Sequence, residues 1–199
     1  MTTNKNIDIM PTNRFETFID AIIAIVITIL VLKISQPSQP TLSAIWDMKL
    51  SYLAYLTSFL TLFNVWYCNH NLFQKIDSID NSVVWIYGIM TFILSLIPYF
   101  TMWVAINVES VPAETMFGLL FVSIHILYII SIKAVYKSNP YNKFLQESDA
   151  RTFYQSSPLI IIFIGYVLTY TVYRPGIYIS CLIAIIIWIV MGWRAENEK

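Results

Sequence analysis

Charge is scarce in this chain: only 12% of its 199 residues are Asp, Glu, Lys or Arg, roughly half the share in a soluble domain. Basic and acidic residues balance to a net charge of zero, so neither nucleic acid nor an acidic surface is implied as a partner. Cysteine is nearly absent. Cys68 and Cys181 make no disulfide framework, are expected near opposite membrane faces, and read as small buried hydrophobes. With few glycines, the chain has no P-loop and no nucleotide-binding glycine fingerprint. The histidines, His70 and His125, fall on different segments, and no cluster has metal-ligand spacing. No serine or cysteine catalytic set is visible, so an enzyme is not expected and no cofactor is implied. There is no ladder of arginines at every third position, which excludes a voltage sensor. Residues 1–13 are polar and no small-residue cleavage site follows the first apolar run, so that run is expected to be kept as a helix.

What the chain does have is apolar length. It is 57% hydrophobic, with a mean hydropathy of +0.64 and 16% aromatic residues. Many of the tyrosines and tryptophans lie near segment ends, where amphipathic rings prefer the membrane interface. About 20 apolar residues span a bilayer as a helix, and lipid offers exposed backbone groups no partners. The expectation is an all-α membrane protein of six transmembrane helices, at about 15–34, 46–70, 82–106, 113–136, 157–173 and 177–193. Residues 1–199 read as a single domain without internal repeat. Arg174-Pro175-Gly176 is a tight turn, so the last two spans form an antiparallel hairpin.

Orientation follows from the basic residues. Six spans put Lys5, Arg14, Lys75, Lys133, Lys137, Lys143, Arg151, Arg194 and Lys199 on one side and only Lys33, Lys49 and Arg174 on the other. The excess argues that both termini are cytoplasmic in a multi-pass protein.

The first span holds the most pointed chemistry. Arg14 and Asp20 flank its entrance, and Thr28 interrupts the otherwise apolar run Ala21–Leu32. Charges near membrane depth are costly and usually functional. Ile25, Thr28, Ile29 and Leu32 fall at i, i+3, i+4 and i+7 and share a helical face, which Phe18 and Ala21 extend. Copies of this helix around an axis would stack apolar rings that close a pore by dewetting and a hydroxyl ring that offers oxygens to a cation. Ordinary helix packing, with Thr28 bonded to its own backbone, is the plain alternative. Trp66, Asn69 and His70 end the second span on the same side and could bond Asp20 or Arg14; an aromatic belt followed by helix-ending polar residues fits equally. His125 lies inside the fourth span, as a proton site or as a bonded neutral ring. Gly165-Tyr166 looks like part of a TVGYG filter but lies mid-span and lacks the second glycine.

Arg14, three residues, then Phe18, Ile19 and Asp20 resembles the hallmark of the transmembrane protein 175 family of potassium channels, with Ile19 in the place of a serine. The run Ala24–Leu32, Trp66 with Asn69-His70-Asn71, Trp85, and Ile97-Pro98-Tyr99-Phe100 are similar to further family features. The likeness is close over the first half of the chain. It implies a bacterial single-repeat channel, six helices per subunit, assembled as a homotetramer with helix one lining a central pore. It implies constriction by Ile25, Ile29 and Leu32, potassium preference from Thr28, and a supporting network of Arg14, Phe18, Asp20, Trp66, Asn69 and His70, with the serine's hydrogen bond missing at Ile19.

The reading is therefore a potassium-selective channel of the bacterial inner membrane, with potassium as permeant ion, no cofactor, no resident metal, and lipid and its own copies as partners. The rival is a proton-coupled secondary transporter using Asp20, His70 and His125. It suffers from Asp20 and His70 lying near one end and from the lack of a centrally broken span.

Overall fold

The computed structural model describes residues 10–76, 78–142 and 151–197. Lys5, Lys143 and Lys199, counted in the orientation argument, lie outside them. The described chain is helical apart from one two-residue strand pair, in which Met10–Pro11 (β1) runs antiparallel to Ser78–Ile79 (β2).

The first helix, α1 (Thr12–Leu32), begins directly after β1. A linker leads to α2 (Leu42–Asp47), where the Thr41 hydroxyl accepts the Ala44 N–H at 3.3 Å, an N-cap that satisfies one of the orphan donors of a helix start. Next comes α3 (Lys49–Phe73). The span expected at 82–106 is two helices, α4 (Asn81–Ser95) and α5 (Ile97–Ile106), joined at Leu96. Pro98 explains the break, because its ring crowds the preceding turn and it has no N–H to continue the ladder. The remaining helices are α6 (Val111–Ser138), α7 (Arg151–Thr171) and α8 (Gly176–Asn197).

Among the described residues, four helical stretches are long and apolar enough to cross a membrane: Thr12–Leu32, Asn81–Ile106, Val111–Ser138 and Gly176–Arg194. Ser156–Thr171 is a shorter apolar helix. The second expected span, α3, has the length but carries buried Ser51, Thr57, Ser58, Thr61, Asn64 and Asn69, and is accordingly less apolar. Several of these groups are hydrogen-bonded within the bundle. Thr57 donates to Leu53 O at 2.9 Å, Thr61 to Thr57 O at 2.9 Å, and Ser58 shares a 2.7 Å hydrogen bond with Thr101 of α5. Polar residues that face other helices rather than lipid lower a span's hydropathy without exposing it to hydrocarbon.

Two apolar clusters hold the bundle. The larger joins Phe15, Ile19, Ile23, Val26 and Leu30 of α1 to residues of α3, α4, α6 and α8, among them Leu62, Tyr87 and Ile124. The smaller joins Phe117 and Phe121 of α6 to Ile162 of α7 and Ile177 and Cys181 of α8. Cys68 and Cys181 form no disulfide. At the N-terminal end, Asp80 caps α4 by accepting from Val83 N–H at 3.0 Å and also takes the hydroxyls of Ser82 and Ser138, each at 2.7 Å. Partial burial pushes the Asp80 carboxyl up, but these hydrogen bonds outweigh it and hold the group below the usual carboxylate range.

At the opposite end of α6, Glu114 is fully buried and its Oε2 accepts the Tyr178 N–H at 2.7 Å. The neighbouring Ile177 N–H is taken by Thr169 Oγ1 at 2.8 Å. A side chain of α6 thus caps the start of α8, where the helix dipole favours a carboxylate. Glu114→Leu strands the Tyr178 donor in an apolar site, at a cost of about 1–3 kcal/mol. Thermal unfolding in detergent should show a clear loss of stability for Glu114→Leu and a smaller one for Glu114→Gln, which keeps an acceptor.

Candidate functional site

The site expected from the sequence is one face of α1, and the structure divides that helix cleanly. Thr12, Phe15, Ile19, Ile23, Val26 and Leu30 are buried against the bundle. On the other side, Arg14, Thr17, Phe18, Ala21, Ala24, Ile25, Thr28, Ile29 and Leu32 are all exposed. Ile25 is 58% exposed and Leu32 80%. Over its best apolar window α1 is only 28% buried, against 44–50% for the other long spans. One subunit therefore leaves the Ile25–Thr28–Ile29–Leu32 face of its N-terminal helix uncovered.

Thr28 donates its hydroxyl proton to Ile25 O at 2.7 Å. That is the local bond expected of a threonine inside a helix. It leaves the oxygen of an exposed hydroxyl with its lone pairs directed away from the backbone, an acceptor without a competing donor.

The entrance of α1 meets the end of α3. The Trp66 indole is within hydrogen-bonding reach of Asp20, with Glu16 and His70 close enough to act on the same carboxylate. His70 Nδ1 lies 2.7 Å from Glu16 Oε1, and its Nε2 lies 2.7 Å from the Gln74 amide nitrogen. With the amide donating to Nε2, the ring proton sits on Nδ1 and is donated to Glu16. Trp66 stacks on the imidazole, centroids 5.6 Å apart and planes 12° from parallel. Asn69 is buried and its Oδ1 accepts the Tyr87 hydroxyl at 3.1 Å, while the Tyr87 ring packs edge-on against Phe15 at 5.4 Å.

The structure thus gathers Asp20, Trp66 and His70 around Glu16, with Asn69 one contact away on Tyr87. Arg14 and Phe18 lie on the uncovered face, and among the described residues Arg14 makes no ion pair. Ile19, in the place where the sequence resemblance puts a serine, is buried in the apolar core and contributes packing. Glu16, Gln74 and Tyr87 were not singled out in the sequence. The available signal was spacing: Glu16 and Asp20, and His70 and Gln74, are i, i+4 pairs on one helix face each. His125 is held apart, with Nδ1 donating to Phe121 O at 2.8 Å and its ring 4.6 Å from Trp188. The three residues of the carrier reading therefore do not form one cluster.

Residues 14–98 match the family described as endosomal/lysosomal potassium channel TMEM175. A potassium channel of Chryseobacterium sp. (strain P1-3) is 26% identical over 189 residues, covering 95% of this chain and 98% of its own. Over its first half the chain is similar to the TMEM175 potassium channel family. A potassium channel of Chamaesiphon minutus is 29% identical over 126 residues, 59% of this chain and 62% of that one. Among solved structures, the lysosomal potassium-selective channel TMEM175 homolog from Chamaesiphon minutus superposes with a TM-score of 0.75 at 23% identity, covering 92% of this chain and 97% of that one. The TMEM175 match ends at Pro98, so it covers α1, α3 and α4, the helices that carry the uncovered face and its entrance network. The fold likeness covers 92% of the chain and so extends to the later helices.

Proposed function

We propose that this chain is a potassium channel subunit, that four copies assemble around an axis, and that α1 of each lines the conduit. The observation that carries the reading is the uncovered, apolar face of α1 with one hydroxyl in it. Arg14, Ala21 and Thr28 alternate with Phe18, Ile25 and Leu32 at the three- and four-residue steps of a heptad seam. That is the pattern by which parallel helices meet at a shared axis, here widened to leave a path.

In this arrangement Ile25, Ile29 and Leu32 form apolar rings that empty of water when narrow. Thr28 forms a ring of acceptor oxygens between them, a partial substitute for the hydration shell of a potassium ion. Asp20, Trp66, Asn69 and His70, with Glu16, hold the foot of the pore helix against α3 and α4, and Arg14 and Phe18 contribute from the axis side. No carbonyl filter is needed, and discrimination against sodium is modest. The host is a bacterial cell membrane with both termini in the cytoplasm. The relatives named as potassium channels support the choice of ion. The separation of His125 from Asp20 and His70 disfavours proton-coupled carriage.

Thr28→Val keeps the shape and removes the oxygen. A net hydrogen bond is worth about 0.5–1.5 kcal/mol, so the potassium-over-sodium permeability ratio in liposomes should fall by a factor of about three to ten, with the oligomer intact. Thr28→Ser should keep the ratio. An unchanged ratio in Thr28→Val rejects the role of the threonine.

A further inference from the structure

We propose that Thr17 is a second oxygen site for the permeating cation, on the N-terminal side of the Ile25 ring. The inference rests on the pore reading above and extends it to a residue outside the constriction and selectivity set.

Thr17 and Thr28 are eleven residues apart. At about 3.6 residues per turn that is three turns and a small remainder, so the two side chains lie almost one above the other, about 16 Å apart along the helix. Both are exposed. Both donate their proton within the helix, Thr17 to Asn13 O at 2.8 Å and Thr28 to Ile25 O at 2.7 Å. Each hydroxyl therefore presents an oxygen with its lone pairs outward and no proton to repel a cation.

The buried stripe of α1 fixes which direction is outermost. Phe15, Ile19, Val26 and Leu30 define the side pressed on the bundle, and the direction opposite them passes through Thr17, Ala21, Ala24 and Thr28 at about 100° per residue. Ala21 and Ala24 leave the line between the hydroxyls open, while Ile25 projects beside it. The two oxygens thus bracket Ile25, one about 12 Å before it and one about 4.5 Å after it.

A dry apolar ring is crossed only if the ion is stabilised on both sides of it; otherwise the cost of stripping its water falls on one step. Thr28 answers that need on one side and Thr17 on the other. The charges near Thr17 are arranged around it. Asp20, one turn on, is engaged with Trp66 of α3, and Glu16 with His70. Arg14, one turn toward the terminus, is exposed and opposes them at the mouth, so a neutral oxygen at Thr17 is the first ligand the ion meets past the guanidinium.

The test uses the full chain in liposomes, with Thr17→Val, Thr17→Ser, Thr28→Val and the Thr17→Val/Thr28→Val pair. Thr17→Val should lower the potassium-over-sodium ratio severalfold and raise the half-saturating potassium concentration on the N-terminal side. Thr17→Ser should restore both, which a merely structural role does not require. The double variant should fall below Thr28→Val alone. Wild-type ratio and saturation in Thr17→Val, with Thr28→Val affected, overturn the Thr17 site and leave the pore standing. A wild-type chain that passes no potassium overturns the pore and the Thr17 site together.

Discussion

Ile25→Asn should raise potassium flux about tenfold to a hundredfold and erode discrimination between cations. Ile25 is a large apolar side chain, more than half exposed on the uncovered face of α1, beside the line through Thr28. Repeated around an axis, it makes a ring that water leaves readily. An amide in its place holds water through hydrogen bonds, and the desolvation it spares the ion is of the order of 1–3 kcal/mol, the stated range in rate at about 1.4 kcal/mol per decade. Ile25→Val should have a far smaller effect, because the ring stays apolar. Single-channel or liposome flux of the two variants separates wetting from mere widening. Flux in Ile25→Asn equal to that of wild type removes Ile25 from the conduction path.

Gly165→Leu should prevent the chain from folding, and Gly165→Ala should destabilise it by about 1–3 kcal/mol or more through overpacking. A Cβ at Gly165 would overlap the Ser180 hydroxyl and come within 2.9 Å of the Gly176 carbonyl. Neither neighbour has room to retreat. Ser180 is buried and donates to Ile177 O at 2.7 Å, and Gly176 opens α8 with its N–H on Tyr173 O at 3.0 Å. The pair Gly165 and Gly176 lets α7 and α8 run in near-backbone contact, the small-residue solution of membrane helices. Yield and monodispersity in detergent are the readouts. A well-folded Gly165→Leu protein contradicts the packing.

The same dipeptide shows what the sequence conveyed and what it withheld. Gly165-Tyr166 could be rejected as filter on context alone. Its work could not be read, because it depends on what faces it: Ser180 for the glycine, and the Thr115 carbonyl, 2.8 Å from the Tyr166 hydroxyl. The face of α1 was legible because helical period alone sorts Ile25, Thr28, Ile29 and Leu32 from Phe15, Ile19, Ile23, Val26 and Leu30. The helix break near Pro98 was also there to be read from proline chemistry, although the span was expected to be continuous. Glu16 was not legible. Whether it or Asp20 meets His70 is set by the rotation of α1 against α3, which no local pattern encodes. Glu114 was hidden for the same reason, with its partner 64 residues away. The polar side of α3 shows the limit of hydropathy, which reports how many polar groups a helix carries and not where they point.

The short pairing of Met10–Pro11 with Ser78–Ile79 fastens the start of α1 to the loop ahead of α4. Past Leu32 the chain passes into an irregular linker. Ile23, Val26 and Leu30 carry that fastening up the helix, so only the last turn, with Leu32, has freedom to shift; in the proposed pore the aperture changes at the distal end while the entrance keeps its shape.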